Sequence, residues 1–131
     1  MGELPFERIK REILVRKDVM PGGFGTDPSN RTTAQLLESS IVCIDKPKGP
    51  TSHQVSSYVQ NILGVDKGGH SGTLDPKVTG VLPVAIAKAT RIVQAMLPAG
   101  KEYVCIMHIH QLLPEAQIRD AMQRFVGKIK Q

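Results

Sequence analysis

The sequence predicts an α/β (α+β) domain in which helices pack on a mixed sheet. Three observations carry this expectation. Apolar runs of strand length occur at residues 41–46, 81–86 and 102–109, with Gly, Pro or Lys at their ends. Stretches with apolar residues at helical spacing follow each run, at 52–63, 89–97 and 114–125. The resulting order is strand then helix, three times over.

Residues 1–40 read as an N-terminal extension and 41–131 as the domain proper. Residues 7–17 are charge-rich, with Ile9, Ile13 and Leu14 at helical or strand spacing. The stretch 21–28, Pro-Gly-Gly-Phe-Gly-Thr-Asp-Pro, breaks any regular element. Residues 29–40 are polar, with a helix-capable piece at 34–37. The extension has no core of its own and is expected to dock onto something else.

The run 41–46 ends at Pro47 and reads as a buried strand. Residues 47–51 form a loop, and Ser52 suits the N-cap of a helix. Val55, Val59, Ile62 and Leu63 give that helix one apolar face, and Gly64 stops it. Residues 66–80 are a glycine-rich loop. The next strand, 81–86, contains Pro83, which predicts an edge position, a bulge or a missing ladder bond. Ala89, Ile92, Val93, Met96 and Leu97 repeat with helical period, closed by Pro98 and Gly100. Residues 102–109 are apolar on both faces, the pattern of a central strand. Pro114 suits the first turn of a last helix, with Ile118, Ala121, Met122 and Phe125 on its buried face and Gly127 at its end. Residues 128–131 read as the start of another strand.

Lys and Arg number 17 against 12 Asp and Glu, a formal charge of +5. That balance suits a polyanionic partner such as RNA, and equally a basic soluble protein without one. Five aromatic side chains and no Trp exclude an extensive stacking platform of the single-strand-binding type. Cys43 and Cys105 sit in apolar runs outside any CxxC pattern, and two buried free thiols are expected. No apolar run reaches the ~18 residues of a membrane-spanning helix. Walker, GxSxG and GxGxxG patterns are absent, which removes simple NTPase, hydrolase-elbow and dinucleotide readings. His108 and His110 share a face of a regular strand, but no third ligand stands at useful spacing, so no metal site is expected.

The residue best suited to chemistry is Asp75. It lies in the glycine-rich loop, and Pro76 keeps it out of helical conformation. Gly69, Gly72 and Gly80 allow a ligand or phosphate close to the backbone. The same pattern also fits an Asx-turn.

The segment 69–80, Gly-His-Ser-Gly-Thr-Leu-Asp-Pro-Lys-Val-Thr-Gly, resembles the signature of the TruB/dyskerin family of RNA pseudouridine synthases. It is most similar to the archaeal and eukaryotic branch, which supplies the catalytic subunit of the H/ACA guide-RNA particle. Residues 45–53, Asp-Lys-Pro-Lys-Gly-Pro-Thr-Ser-His, resemble that family's first strand-and-turn motif, and 101–104, Lys-Glu-Tyr-Val, its Lys-x-Tyr strand.

The resemblance implies that 41–131 is the N-terminal, truncated part of a synthase catalytic domain. It implies a catalytic role for Asp75, as nucleophile at C1′ or C6 of a target uridine or as a base, with no metal or cofactor. Tyr103 falls on the tyrosine lying against the everted base, and His70 on the motif histidine near the extruded nucleotide. Lys46, Lys48, Lys67, Lys77 and Arg91 lie near these motifs as candidate phosphate contacts. The implied partners are rRNA or tRNA, an H/ACA guide RNA and small accessory proteins, with no membrane. The implied location is cytoplasmic, or nucleolar in a eukaryote. The family domain continues beyond position 131 with further strands, an RNA-gripping loop, a basic partner for the aspartate and a PUA domain. Little or no turnover is therefore expected from the chain alone. A non-catalytic RNA-binding or assembly fragment is the alternative.

Overall fold

The computed structural model describes residues 8–10, 12, 14 and 25–128. Most of 7–17, the break at 21–24 and the strand start at 129–131 lie outside the described residues. The chain divides into two compact units, Met1–Gly100 and Lys101–Gln131.

In the first unit, helix α1 (Thr33–Glu38) is started by a capping box. The Thr32 hydroxyl accepts from the Gln35 N–H, and the Gln35 side chain accepts from the Thr32 N–H. Leu37 carries part of the extension into the core periphery. The chain passes directly into β1 (Ser39–Lys46), then α2 (Ser52–Leu63), β2 (Gly68–His70) and β3 (Gly80–Ala87). A 3-10 turn (Lys88–Ile92) and the single-turn α3 (Val93–Met96) take the place of the regular helix expected there.

The sheet has the order β1-β3-β2, and both pairings are antiparallel, where a mixed sheet was expected. The difference comes from β2, three residues that composition assigned to loop. They return along β3 with Gly68 opposite Ile86 and His70 opposite Val84. Gly68 permits this because a Cβ there would lie 2.7 Å from the Gln60 side chain of α2.

Pro83 lies in the central strand, yet it costs little. Its carbonyl accepts from the Ser71 N–H, one residue past the end of β2. The N–H and C=O of one strand residue face the same neighbour, so the missing N–H falls where β2 has already ended. The expected missing ladder bond is the form this takes.

Alternation along β3 builds the core. Leu82, Val84 and Ile86 turn to one face and meet Val55 and Val59 of α2. Ser52 and Ser56 complete the buried face of α2. That face is thus rotated towards the serines, which leaves Ile62, expected inside, exposed. Gly64 ends the helix in left-handed conformation, φ 64°. Cys43 projects from the opposite face of β1 and is exposed, as is Cys105. Both are free thiols, not the buried ones expected. Lys88 pairs with Glu38, and this hydrogen bond holds the Glu38 carboxyl below its ordinary value.

The second unit contains α4 (Glu115–Gln123), led in by Pro114 and flanked by the i, i+4 pairs Glu115–Arg119 and Asp120–Arg124. Residues 102–109 form no strand. Tyr103 is 76% exposed, Val104 92% and Ile106 wholly. A strand exists only through its neighbour's backbone, and no described residue pairs with this segment. Ile118 is partly covered, while Met122 and Phe125, expected on a buried face, are exposed.

Candidate functional site

Three residues lock the backbone around Asp75. The first is Ser52; the N-cap position of α2, expected at Ser52, is taken by Thr51. The Thr51 hydroxyl accepts from the Gln54 N–H, and the Gln54 side chain accepts from the Thr51 N–H. Ser52, thereby freed for another role, is 2% exposed. Its hydroxyl accepts from the Leu74 N–H at 2.8 Å and lies 3.2 Å from the Leu74 carbonyl, to which it donates.

Gly49 supplies the second restraint. Its N–H donates to the Pro76 carbonyl at 2.8 Å. With φ at 115°, position 49 is one where a side chain would be strained.

The third is Lys46, the last residue of β1. It is 0% exposed, and its ammonium donates to the carbonyls of Pro47 (2.9 Å), Asp75 (3.1 Å) and Val78 (3.0 Å). Three N–H donors meet three carbonyls, so the buried head group is fully satisfied. This corrects the sequence-based expectation for Lys46. A lysine with every donor engaged inside the protein has none left for a phosphate.

The backbone at 74, 75 and 76 is therefore fixed from three directions, and Val78 N–H adds a turn bond to the Asp75 carbonyl. The Asp75 side chain is exposed, and among the described residues nothing hydrogen-bonds its carboxylate. An Asx-turn, in which that carboxylate would be spent on its own backbone, is not what forms.

His70 lies at the end of β2, half-buried. Its Nδ1 donates to the Gly72 carbonyl at 2.6 Å, which leaves Nε2 as the second ring nitrogen. Lys48 and Lys77 are exposed on the two loops that meet at the Gly49–Pro76 bond.

Lys67 and Arg91 lie elsewhere. They line an open cleft of about 400 Å³ between residues 64–67 and 87–91, together with Asp66, Lys88 and Thr90. The cleft is at the Ala87 end of β3 and the Asp75 loop at the Gly80 end, about 20 Å apart along an eight-residue strand. Ala87 itself holds φ 46°, a strained value for a residue with a Cβ.

Tyr103 belongs to the second unit and is exposed there. His108 and His110 of that unit stack edge-on, 4.7 Å between centroids. No group of three metal-ligating side chains occurs among the described residues, and no described helix is long and apolar enough to cross a membrane.

Sequence reasoning missed Ser52 and Gly49 as restraints on the Asp75 loop. The available signal was their membership in the 45–53 motif, which has no reason to accompany 69–80 unless the two segments touch.

Residues 60–114 match the TruB family pseudouridylate synthase N-terminal domain, and residues 2–56 match the DKCLD (NUC011) domain. A relative from Nanoarchaeum equitans, named "Probable tRNA pseudouridine synthase B", is 53% identical over 129 residues. The chain belongs to the TruB/dyskerin pseudouridine synthase family. The alignment with the Nanoarchaeum relative takes in 98% of this chain and 37% of that protein, so this member spans just over a third of its relative's length. A Cbf5–Nop10–Gar1 complex superposes with a TM-score of 0.81 at 49% identity, over 95% of this chain and 38% of the solved one. An H/ACA ribonucleoprotein bound to a substrate RNA containing 2′-deoxyuridine gives 0.79 at 49%, over 93% and 39%. This likeness extends the TruB/dyskerin assignment from the motifs to the fold of the N-terminal region.

Proposed function

We propose that this chain carries the catalytic aspartate of an RNA pseudouridine synthase and that Asp75 is that residue. One observation carries the reading: a free, exposed carboxylate on a backbone held by Lys46, Ser52 and Gly49. A reacting group must be presented in fixed geometry while its own atoms stay available, and that division between backbone and side chain supplies both. In the reaction, the carboxylate acts on a uridine everted from the RNA. It attacks C1′ or C6, or takes up a proton as base. The C1′–N1 bond breaks, uracil rotates, a C1′–C5 bond forms as any bond to the carboxylate is given up, and the proton lost from C5 is balanced by one taken up at N1. Reactant and product are isomers, so the chemistry calls for no external oxidant or reductant.

Lys48 and Lys77 flank this position and can meet the phosphates beside the target. Lys67 and Arg91, at the other end of β3, suit a phosphate several nucleotides away. Lys88 is tied to Glu38 and less available. His70, its ring oriented by Gly72, stands next to the extruded nucleotide; the contact with the everted base is the one the 101–104 motif assigns to Tyr103 by resemblance. The substrate is a uridine in tRNA or rRNA, selected by an H/ACA guide RNA. The companions are small proteins of the kind seen with the solved relatives, Nop10 and Gar1.

The test is Asp75→Asn in this chain completed with the remaining segments of a family-length relative, with tritium release from 5-tritiated uridine RNA as readout. The expected result is loss of turnover with RNA affinity unchanged. Turnover within twofold of the parent would overturn the role of Asp75. It would favour a non-catalytic RNA-binding function for this segment.

A further inference from the structure

We infer that the cleft at the Ala87 end of β3 is a gated RNA-backbone site with Glu38 as its built-in competitor. An entering phosphate takes Lys88 from the Glu38 carboxylate and is clamped by Lys67, Lys88 and Arg91. The inference rests on the functional reading above and adds a restraint that the extension imposes on RNA binding.

The cleft has two walls, residues 64–67 and 87–91. Left-handed Gly64 turns the first wall out of α2. The Ala87 N–H joins the second wall to the first by donating to the Lys67 carbonyl at 2.8 Å. The second wall turns because Ala87 holds φ 46°, ψ −120°, with its carbonyl accepting from the Thr90 hydroxyl at 2.8 Å. Strain of this kind clusters at ligand clamps and switch regions, where the surrounding structure imposes it. Here it brings Lys88 and Arg91 to the cleft that Lys67 lines from the other side. Three cations, Lys67, Lys88 and Arg91, face one carboxylate, Asp66. A concave surface with that balance concentrates anions.

Glu38 stands in the way. Its carboxylate accepts from the Lys88 ammonium and takes up that charge. It is the last residue of α1, where the helix dipole disfavours an acid, so helix stability does not account for it. The capping box of α1 and the packing of Leu37 against the core hold it there. The pair is nevertheless weak, because the two side chains are 69% and 57% exposed. A phosphate reached by Lys67 and Arg91 as well has three cationic partners where Glu38 has one, so it wins the ammonium.

The test uses the 131-residue chain and a fluorescently labelled RNA stem-loop with an unpaired uridine. Affinity is read by anisotropy across a potassium chloride series, and each variant is melted by circular dichroism. Lys67→Ala and Arg91→Ala are each expected to weaken binding and to reduce the salt slope by about one. Glu38→Gln is expected to tighten binding about three- to fivefold at low salt, as Lys88 passes wholly to the phosphate. In a Lys88→Ala background that gain should vanish. Where Arg91→Ala lowers the melting midpoint, Lys67→Ala decides. A parental salt slope in Lys67→Ala overturns the site. Unchanged affinity in Glu38→Gln, or a gain that survives Lys88→Ala, overturns the gate, the latter because it marks a general charge effect. In each of these cases a parent that binds RNA leaves the functional reading standing. A parent chain that binds no RNA overturns that reading and this inference together.

Discussion

Lys46 places a cation inside a protein whose other buried side chains are small or apolar. Isolated, such a charge would be very costly, and lysines are almost never fully buried without compensation. Three carbonyls provide that compensation, two of them on the loop that presents Asp75. The lysine thus joins the end of β1 to a turn some 30 residues later. The arrangement makes one residue responsible for both stability and site geometry. Lys46→Met keeps most of the aliphatic stem but leaves the Pro47 and Val78 carbonyls without this donor. A loss of about 3 kcal/mol is expected, measured from the urea midpoint. A midpoint within ~0.5 kcal/mol of the parent would show that water replaces the ammonium and that the loop holds itself. None of this could be read from the sequence. A lysine next to Pro in a basic chain reads as a surface charge, and only the tertiary contacts reverse that. The exposure of Asp75 was legible from its loop, Gly-rich and followed by Pro, while the distant residues that hold its backbone were not.

At the level of elements, what is local was legible and what is long-range was not. The α2 helix followed from Val55, Val59 and the Gly64 stop, because an amphipathic repeat and a left-handed terminus are properties of neighbouring residues. The β1 and β3 strands followed from continuous apolar runs. The β2 strand escaped because Gly68, Gly69 and His70 have no strand propensity and are held only by pairing with β3. Residues 88–96 have the apolar spacing of a regular helix, yet the chain enters them through Ala87 at φ 46°, ψ −120°. Its N–H donates to the Lys67 carbonyl and its own carbonyl accepts from the Thr90 hydroxyl, so both neighbours hold it in that state. The tight 3-10 turn that follows places Lys88, Thr90 and Arg91 along the cleft. Strain of 1–3 kcal/mol is typical of a residue with a Cβ in such a state, partly offset in glycine by a greater loss of chain entropy. Ala87→Gly should therefore raise stability by about 1 kcal/mol in urea denaturation, and Ala87→Val should lower it by more. Loss of stability on Ala87→Gly would mean that the methyl group's packing outweighs the strain.

Across the whole molecule, apolar burial is unevenly shared between the two units. Among the described residues, every fully buried one belongs to the first, where α2 covers one face of the sheet. In the second, no described residue is buried, and Tyr103, Val104, Ile106, Leu112 and Phe125 are open to solvent. Its helix is supported by local ion pairs between exposed side chains, each worth only a few tenths of a kcal/mol. Backbone with little burial and no sheet pairing opens at low free energy, and proteases cut such segments first. Brief trypsin or chymotrypsin digestion of the 131-residue chain should accordingly cut within 101–113, at Lys101, Tyr103 or the leucines beyond, before any site in 39–92. Mass spectrometry should then find a persistent fragment ending between about residues 101 and 113. First cuts inside α2 or β3 would show that the core of the first unit is less stable than its packing indicates. Cuts spread evenly along the chain would show that neither unit holds a cooperative fold under these conditions.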